Sequence, residues 1–168
     1  MEQEYTIAVS WLFEQFPAYQ NIGDMAYKPG LERIEELCAH FDYPQNDLKC
    51  IHVAGSNGKG STCSMIAAGL TESGYKVGLF TSPHIQDFSE RIRINGITIT
   101  KEYVTQFVDA FKKQTHLKGY SFFEITFAMA LCYFRENECD YCVIETGLGG
   151  RLDATNILRP KLCCITPI

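Results

Sequence analysis

The 168-residue sequence predicts an α/β fold: a mostly parallel sheet with flanking helices and one β-hairpin insertion. Three observations predict it. The short apolar runs "KCIHVA" and "DYCVIE" read as buried strands. Segments of helical periodicity alternate with such runs along the chain. The stretch "ERIRINGITIT" alternates strictly about Asn95-Gly96, a two-residue hairpin signal.

The elements follow in order. Residues 4–16 place Ile7, Val9, Leu12, Phe13 and Phe16 at helical spacing, and Pro17 stops the run. A polar, glycine-bearing link, "AYQNIGDMAYKPG", precedes a second helix over 31–41 with Leu31, Ile34, Leu37, Cys38 and Phe41 on one face. Residues 49–54 form a strand and 59–73 a helix with Met65, Ile66, Ala68 and Leu70 and a stop at Gly74. "YKVGLFT" at 75–81 is the next strand, so one βαβ unit with a right-handed crossover is expected. After the hairpin over 90–100, Thr100 is placed to N-cap a helix over 101–114 carrying Tyr103, Phe107, Val108 and Phe111. A very apolar helix spans 122–137, and strands follow at 140–145 and 161–166.

Composition narrows the partners. Hydrophobic residues make up 46% and charged residues 21%, the profile of a soluble globular protein, and the net charge of −5 provides no basic face for nucleic acid. No apolar run reaches the roughly 18 residues of a membrane span, and the acidic start "MEQEY" is not a signal peptide. A cytoplasmic monomer is the expectation, with no nucleic-acid or membrane partner. The eight cysteines then read as reduced thiols, most of them inside apolar runs. Cys139 and Cys142 form a lone C-x-x-C that leads into a strand, with no second pair spaced for zinc.

The segment "VAGSNGKGST" is a variant phosphate-binding loop. Gly58 and Lys59 fit the G-x-x-x-x-G-K-[ST] pattern, but Val53 replaces the first glycine and Gly60 the hydroxyl residue. Gly55, Gly58 and Gly60 let the backbone approach phosphate, and the following helix aims its N-terminus at the same point. Lys59 supplies the cation for the β and γ phosphates, and the hydroxyl passes to Ser61 or Thr62. A nucleotide loop also requires an acid for Mg²⁺. Glu145 closes the strand "YCVIE" and should emerge at the same sheet edge, as a metal ligand or as a solvated strand end.

The segments "HVAGSNGKGST", "GYKVGLFTSPHIQDFSERIRING" and "IETGLGGRLDATNI", with "AYKPGLERIEEL" upstream, resemble the folylpolyglutamate synthase/dihydrofolate synthase family of the Mur ligase superfamily. The matches cover about residues 50–160 in order, and Ser56 stands where the family usually has Thr. The resemblance implies a P-loop NTPase-like Mur ligase central domain and an ATP-dependent amide ligase. Such an enzyme phosphorylates a folate or dihydropteroate carboxylate, and the amine of L-glutamate then attacks the acyl phosphate. ATP would be bound by Asn57, Gly58, Lys59, Gly60 and Ser61. Mg²⁺ would be held by Ser82, Glu145 and Ser61, and Lys59, Glu145 and His84 would serve catalysis. The pterin would lie near Phe122, Phe123, Glu124, Arg151, Leu152 and Asp153.

For several of these residues an ordinary role is also open. Ser82 could form a Ser-Pro turn, His84 could be simply exposed, and Phe122 and Phe123 could pack in a core. Asp153 and Asn156 could stabilise a turn, and Arg91, alternating with Ile92, reads as a solvated surface residue. Family members are longer and have two domains. They carry a downstream histidine, a modified lysine and a closing C-terminal domain. Residues 1–168 are therefore expected to be the N-terminal ATP-binding domain, incomplete and truncated, with the C-terminal domain absent and little activity alone. Two other readings stand beside this one: a Mur-superfamily ligase for a different acid, and a nucleotide-binding remnant without catalysis.

Overall fold

The computed structural model describes residues 1–16, 30–113 and 119–168. The link "AYQNIGDMAYKPG" therefore lies outside the described residues except for Gly30. The helices are α1 (Glu2–Gln15), α2 (Glu32–His40), α3 (Lys59–Glu72), α4 (Lys101–Lys112) and α5 (Phe122–Glu136). The strands are β1 (Cys50–Ala54), β2 (Val77–Phe80), β3 (Ile92–Ile94), β4 (Ile97–Thr98), β5 (Tyr141–Glu145) and β6 (Leu162–Ile165). They form one sheet in the order β4-β3-β2-β5-β1-β6. β2, β5, β1 and β6 run parallel, while β3 and β4 pair antiparallel at one edge as the inserted hairpin.

Successive strand residues face opposite sides, so the sheet carries two cores. Cys50 and Cys142 face the larger one, with Phe80 and Ile144, beneath α5, α2, α1 and α4. α5 is buried on nearly every side, including Phe127, Met129, Leu131 and Phe134. The smaller core holds Ile51, Val53, Val77, Leu79 and Val143 under α3. On α3 the inward stripe is Cys63, Ile66, Ala67 and Leu70, at i, i+3, i+4 and i+7. Met65 lies outside that stripe and is 67% exposed, while small Cys63 and Ala67 meet the sheet. Ile7 on α1 is likewise exposed, since Tyr5, Ala8 and Leu12 make its inner stripe.

The thiols are all unbridged. Cys50 and Cys142 are register partners on β1 and β5, and both are buried. Cys163 differs from the rest in being exposed on the edge strand β6. No helix among the described residues is long and apolar enough to cross a membrane.

Candidate functional site

The carboxyl ends of the parallel strands converge where the chain leaves β1 for α3. Gly55 takes φ +134, and a side chain there would meet the Thr166 carbonyl at 2.8 Å. Gly58 caps α3 in the left-handed region at φ 80, which favours glycine. The Ser56 and Asn57 amides both donate to the Pro167 carbonyl, at 3.1 and 3.2 Å. The first amides of a helix have no partner within it, so the start of α3 offers donors to an anion. Lys59 folds back over the loop, donating from Nζ to the Gly55 carbonyl at 2.8 Å and the Ser56 carbonyl at 3.2 Å.

Glu145 ends β5 beside this loop and is 4% exposed. Its Oε2 accepts the Ser82 amide at 2.9 Å. Burial raises its pKa, and the Ser82 amide, the charges of Lys59 and Arg91 and the nearby Gly60 backbone oppose the rise. A Cβ on Gly60 would stand 3.5 Å from this carboxylate, so the glycine keeps the space before Glu145 open. Lys59, Gly60, Ser82 and Glu145 thus share one edge of the sheet.

The loop from Ser82 to Glu90 is held by its own carboxylates. Asp87 accepts the Ser89 amide at 2.9 Å and the Tyr5 hydroxyl at 2.6 Å, and Glu90 accepts the amides of Ile85, Gln86 and Asp87. This capping box starts the short turn Phe88–Arg91, which closes on Arg91. Arg91, expected at the surface, is 3% exposed. Its Nε–H donates to His84 Nδ1 at 2.7 Å, and its guanidinium lies 5.1 Å from the centre of the Phe122 ring. Burial lowers the Arg91 pKa to about 10 against the pull of Glu145. His84 also titrates below its ordinary value, through burial and then the Arg91 charge. With Nδ1 accepting, the neutral ring carries its proton on Nε2.

The residues expected around a pterin are spread out. Phe122 is a core residue, stacked on Phe13 at 4.6 Å and facing Arg91. Phe123 is partly buried against Phe80 and beneath Gly147, where a Cβ would meet its ring at 2.9 Å. Glu124 does not join the site. It completes the α5 capping box by accepting the Ser121 amide at 2.6 Å and pairs with Arg33 at 3.2 Å. Arg151 and Leu152 are exposed on the following turn. Asp153 is 4% exposed and holds that turn, accepting the Gly147 and Leu148 amides at 3.0 and 2.8 Å and both groups of Thr155. Its four lone-pair positions are filled, so a ligand bond to Asp153 would displace one of these donors.

Sequence reading missed Arg91, Asp87, His52 and Thr155. The acids at N-cap and N3 of "DFSE" were a visible capping-box signal, but the Tyr5 hydroxyl joins Asp87 from 82 residues away. Among the described residues no three His, Cys, Asp or Glu side chains gather as a metal site. A cation here would rest on the Glu145 carboxylate, the Ser82 and Ser61 hydroxyls, water and a ligand's own oxygens, a donor set that suits Mg²⁺.

No family model matches the chain. The Bacillus subtilis dihydrofolate synthase/folylpolyglutamate synthase is 43% identical over 167 residues, which is 91% of this chain and 39% of that protein. The crystal structure of folylpolyglutamate synthase from Thermotoga maritima superposes with a TM-score of 0.87 at 36% identity, covering 99% of this chain and 38% of that one. The bifunctional synthase from Yersinia pestis, complexed with AMPPNP and Mn, gives a TM-score of 0.79 at 32% identity over 94% of this chain and 38% of its own. The chain thus spans about two fifths of the length of these proteins. In sequence and in fold, the chain belongs to the folylpolyglutamate synthase/dihydrofolate synthase family and corresponds to its members' N-terminal portion.

Proposed function

We propose that this chain is the ATP-binding domain of an amide ligase that joins L-glutamate to folate or dihydropteroate, working as a monomer in the cytoplasm without nucleic acid. The carrying observation is that Lys59, Gly60, Ser82 and Glu145 meet at one sheet edge, with open space before the carboxylate. The triphosphate would lie along Gly58–Ser61 at the start of α3, with Asn57 beside it. Lys59 would leave the Gly55 and Ser56 carbonyls for the β and γ phosphates. The residues fit Mg²⁺, with Glu145, Ser82 and Ser61 as its protein ligands. When bound, the cation supplies charge neutralisation to the polyphosphate.

The chain's own residues do the rest by position and charge. The loop held by Asp87 and Glu90 presents Ser82 and His84. His84 offers a neutral Nε2–H donor, and Arg91 fixes the ring from behind. The acceptor's ring would lie on the Phe123 side, against the turn that carries Gly147, Arg151 and Leu152. In this reaction an acceptor carboxylate oxygen takes the γ phosphoryl group and ADP leaves. The glutamate amine then displaces phosphate from the carbonyl carbon.

The test uses acceptor labelled with oxygen-18 in its carboxylate, given to this chain joined to the downstream part of the B. subtilis relative. One label per turnover is expected in the released phosphate. Unlabelled phosphate alongside ligated product would overturn the acyl phosphate route. A second reading, nucleotide binding without catalysis, is supported for the 168-residue chain by its 39% span of that relative.

A further inference from the structure

On the sheet face away from α3, beneath the turn after β5, a buried relay runs from β1 to the glycine-rich segment. His52 is 9% exposed, and its Nε2 lies 2.7 Å from Thr155 Oγ1. Thr155 Oγ1 donates to Asp153 Oδ1 at 2.5 Å, and the Thr155 amide donates to the same oxygen at 3.0 Å. Asp153 Oδ2 receives the Gly147 and Leu148 amides at 3.0 and 2.8 Å. A hydroxyl has one proton, and that of Thr155 goes to the carboxylate. Thr155 Oγ1 must therefore accept from His52, which places a proton on Nε2. Burial lowers the His52 pKa, with the Asp153 charge pulling the other way, so the ring is neutral at pH 7.

We propose that His52 is a positioning residue for the acceptor side of the site: its Nε2–H orients the Thr155 hydroxyl, which fixes the Asp153 carboxylate under the Gly147 and Leu148 amides. The word acceptor rests on the ligase reading above; the relay itself does not. The carboxylate gathers the turn into a fixed wall beside Phe123, where a Cβ on Gly147 would already meet the ring. β1 carries His52 and leads, three residues on, into Gly55 of the phosphate loop. One strand therefore sets the register between the nucleotide loop on one face and the acceptor wall on the other.

The experiment uses the 168-residue chain. Nitrogen-15 spectra of wild type at pH 7 should show His52 neutral and protonated on Nε2; a proton on Nδ1 would overturn the relay. Amide hydrogen exchange at Gly147 and Leu148 should speed up about tenfold in His52→Phe, the loss of one supporting hydrogen bond. In His52→Gln, whose side-chain NH₂ can reach the Nε2 position, exchange should stay within about twofold of wild type, since the donor to Thr155 is kept. Unchanged exchange in His52→Phe, or no recovery in His52→Gln, would overturn the proposal. Should His52→Phe fail to fold, the wild-type tautomer and the His52→Gln rates still decide. Mg-ATP titration separates the two readings. Equal affinity in wild type and His52→Phe supports a role confined to the acceptor side, and a tenfold loss would overturn it. Absence of Mg-ATP binding by wild type would sink the nucleotide assignment while leaving the relay to the exchange data.

Discussion

Lys59 makes two hydrogen bonds, both to carbonyls of its own loop. Those bonds can be exchanged for phosphate oxygens with little rearrangement, and a charged donor to an anion contributes about 1.5–3 kcal/mol. Lys59→Ala should therefore weaken Mg-ATP binding by about tenfold to a hundredfold. Calorimetric titration checks this, and equal affinities would remove Lys59 from the site. Asp87 gives a pH prediction. Burial alone would raise its pKa, but the hydrogen bonds from Ser89 and Tyr5 outweigh burial and leave it lowered. A carboxylate whose folded pKa is depressed stabilises the fold above its unfolded value of about 3.9, and that stabilisation is lost as pH falls through the folded value. Asp87→Asn should thus unfold at lower urea than wild type at pH 7. The gap should narrow as pH falls below about 4 and towards the depressed folded value; a gap unchanged by pH would refute the linkage.

At the scale of elements, close contact between sheet and helix sets what can be changed. A Cβ on Gly78 in β2 would lie 2.6 Å from the Phe134 ring on α5, which is fully buried. Gly78→Ala should cost about 1–3 kcal/mol in urea unfolding, as overpacking does, with Mg-ATP affinity retained. Ser121→Ala removes a capping box and should cost about 1 kcal/mol. Most elements were readable because their signals are local. β1 and β5 are short apolar runs, Thr100 caps α4 as its position suggested, and Asn95-Gly96 turns the hairpin with φ 48 and 80. The inward stripe of α3 was not legible because apolar residues occur on several of its sides, and periodicity cannot say which stripe meets the sheet. Arg91 was misread because the alternation of the hairpin runs on through it. In the structure the Asp87 capping box turns the chain there and Phe122 receives the guanidinium. The loop and Glu145 were legible, since both follow from strand ends in a parallel sheet, whereas Glu124 was a capping residue seen beside aromatic neighbours.

For the whole molecule, the uneven cover of the sheet bears on activity. β6 is an edge strand with Leu162 and Ile165 at 57% and 71% exposure, and among the described residues α3 covers one face of the sheet almost alone. Lys59, Ser82, Glu145, His84 and Arg91 approach the proposed phosphate position from this chain, yet the chain spans 39% of its B. subtilis relative. Binding a nucleotide needs a phosphate loop and a carboxylate to hold a cation, and residues 55–61 and Glu145 are this chain's candidates for them. Transfer needs the phosphate, the acceptor and glutamate aligned together, and misplacement by an ångström can cost about a hundredfold in rate. The 168-residue chain should therefore bind Mg-ATP and show no glutamate-dependent phosphate release with dihydropteroate. The same residues joined to the downstream part of the B. subtilis relative should release phosphate and form the amide. Glu145→Gln in the joined protein should abolish that release, because the amide cannot replace the carboxylate as a cation ligand. Robust ligation by the short chain would show that the machinery lies wholly within these residues. Equal rates for Glu145→Gln and its parent would remove Glu145 from the metal site.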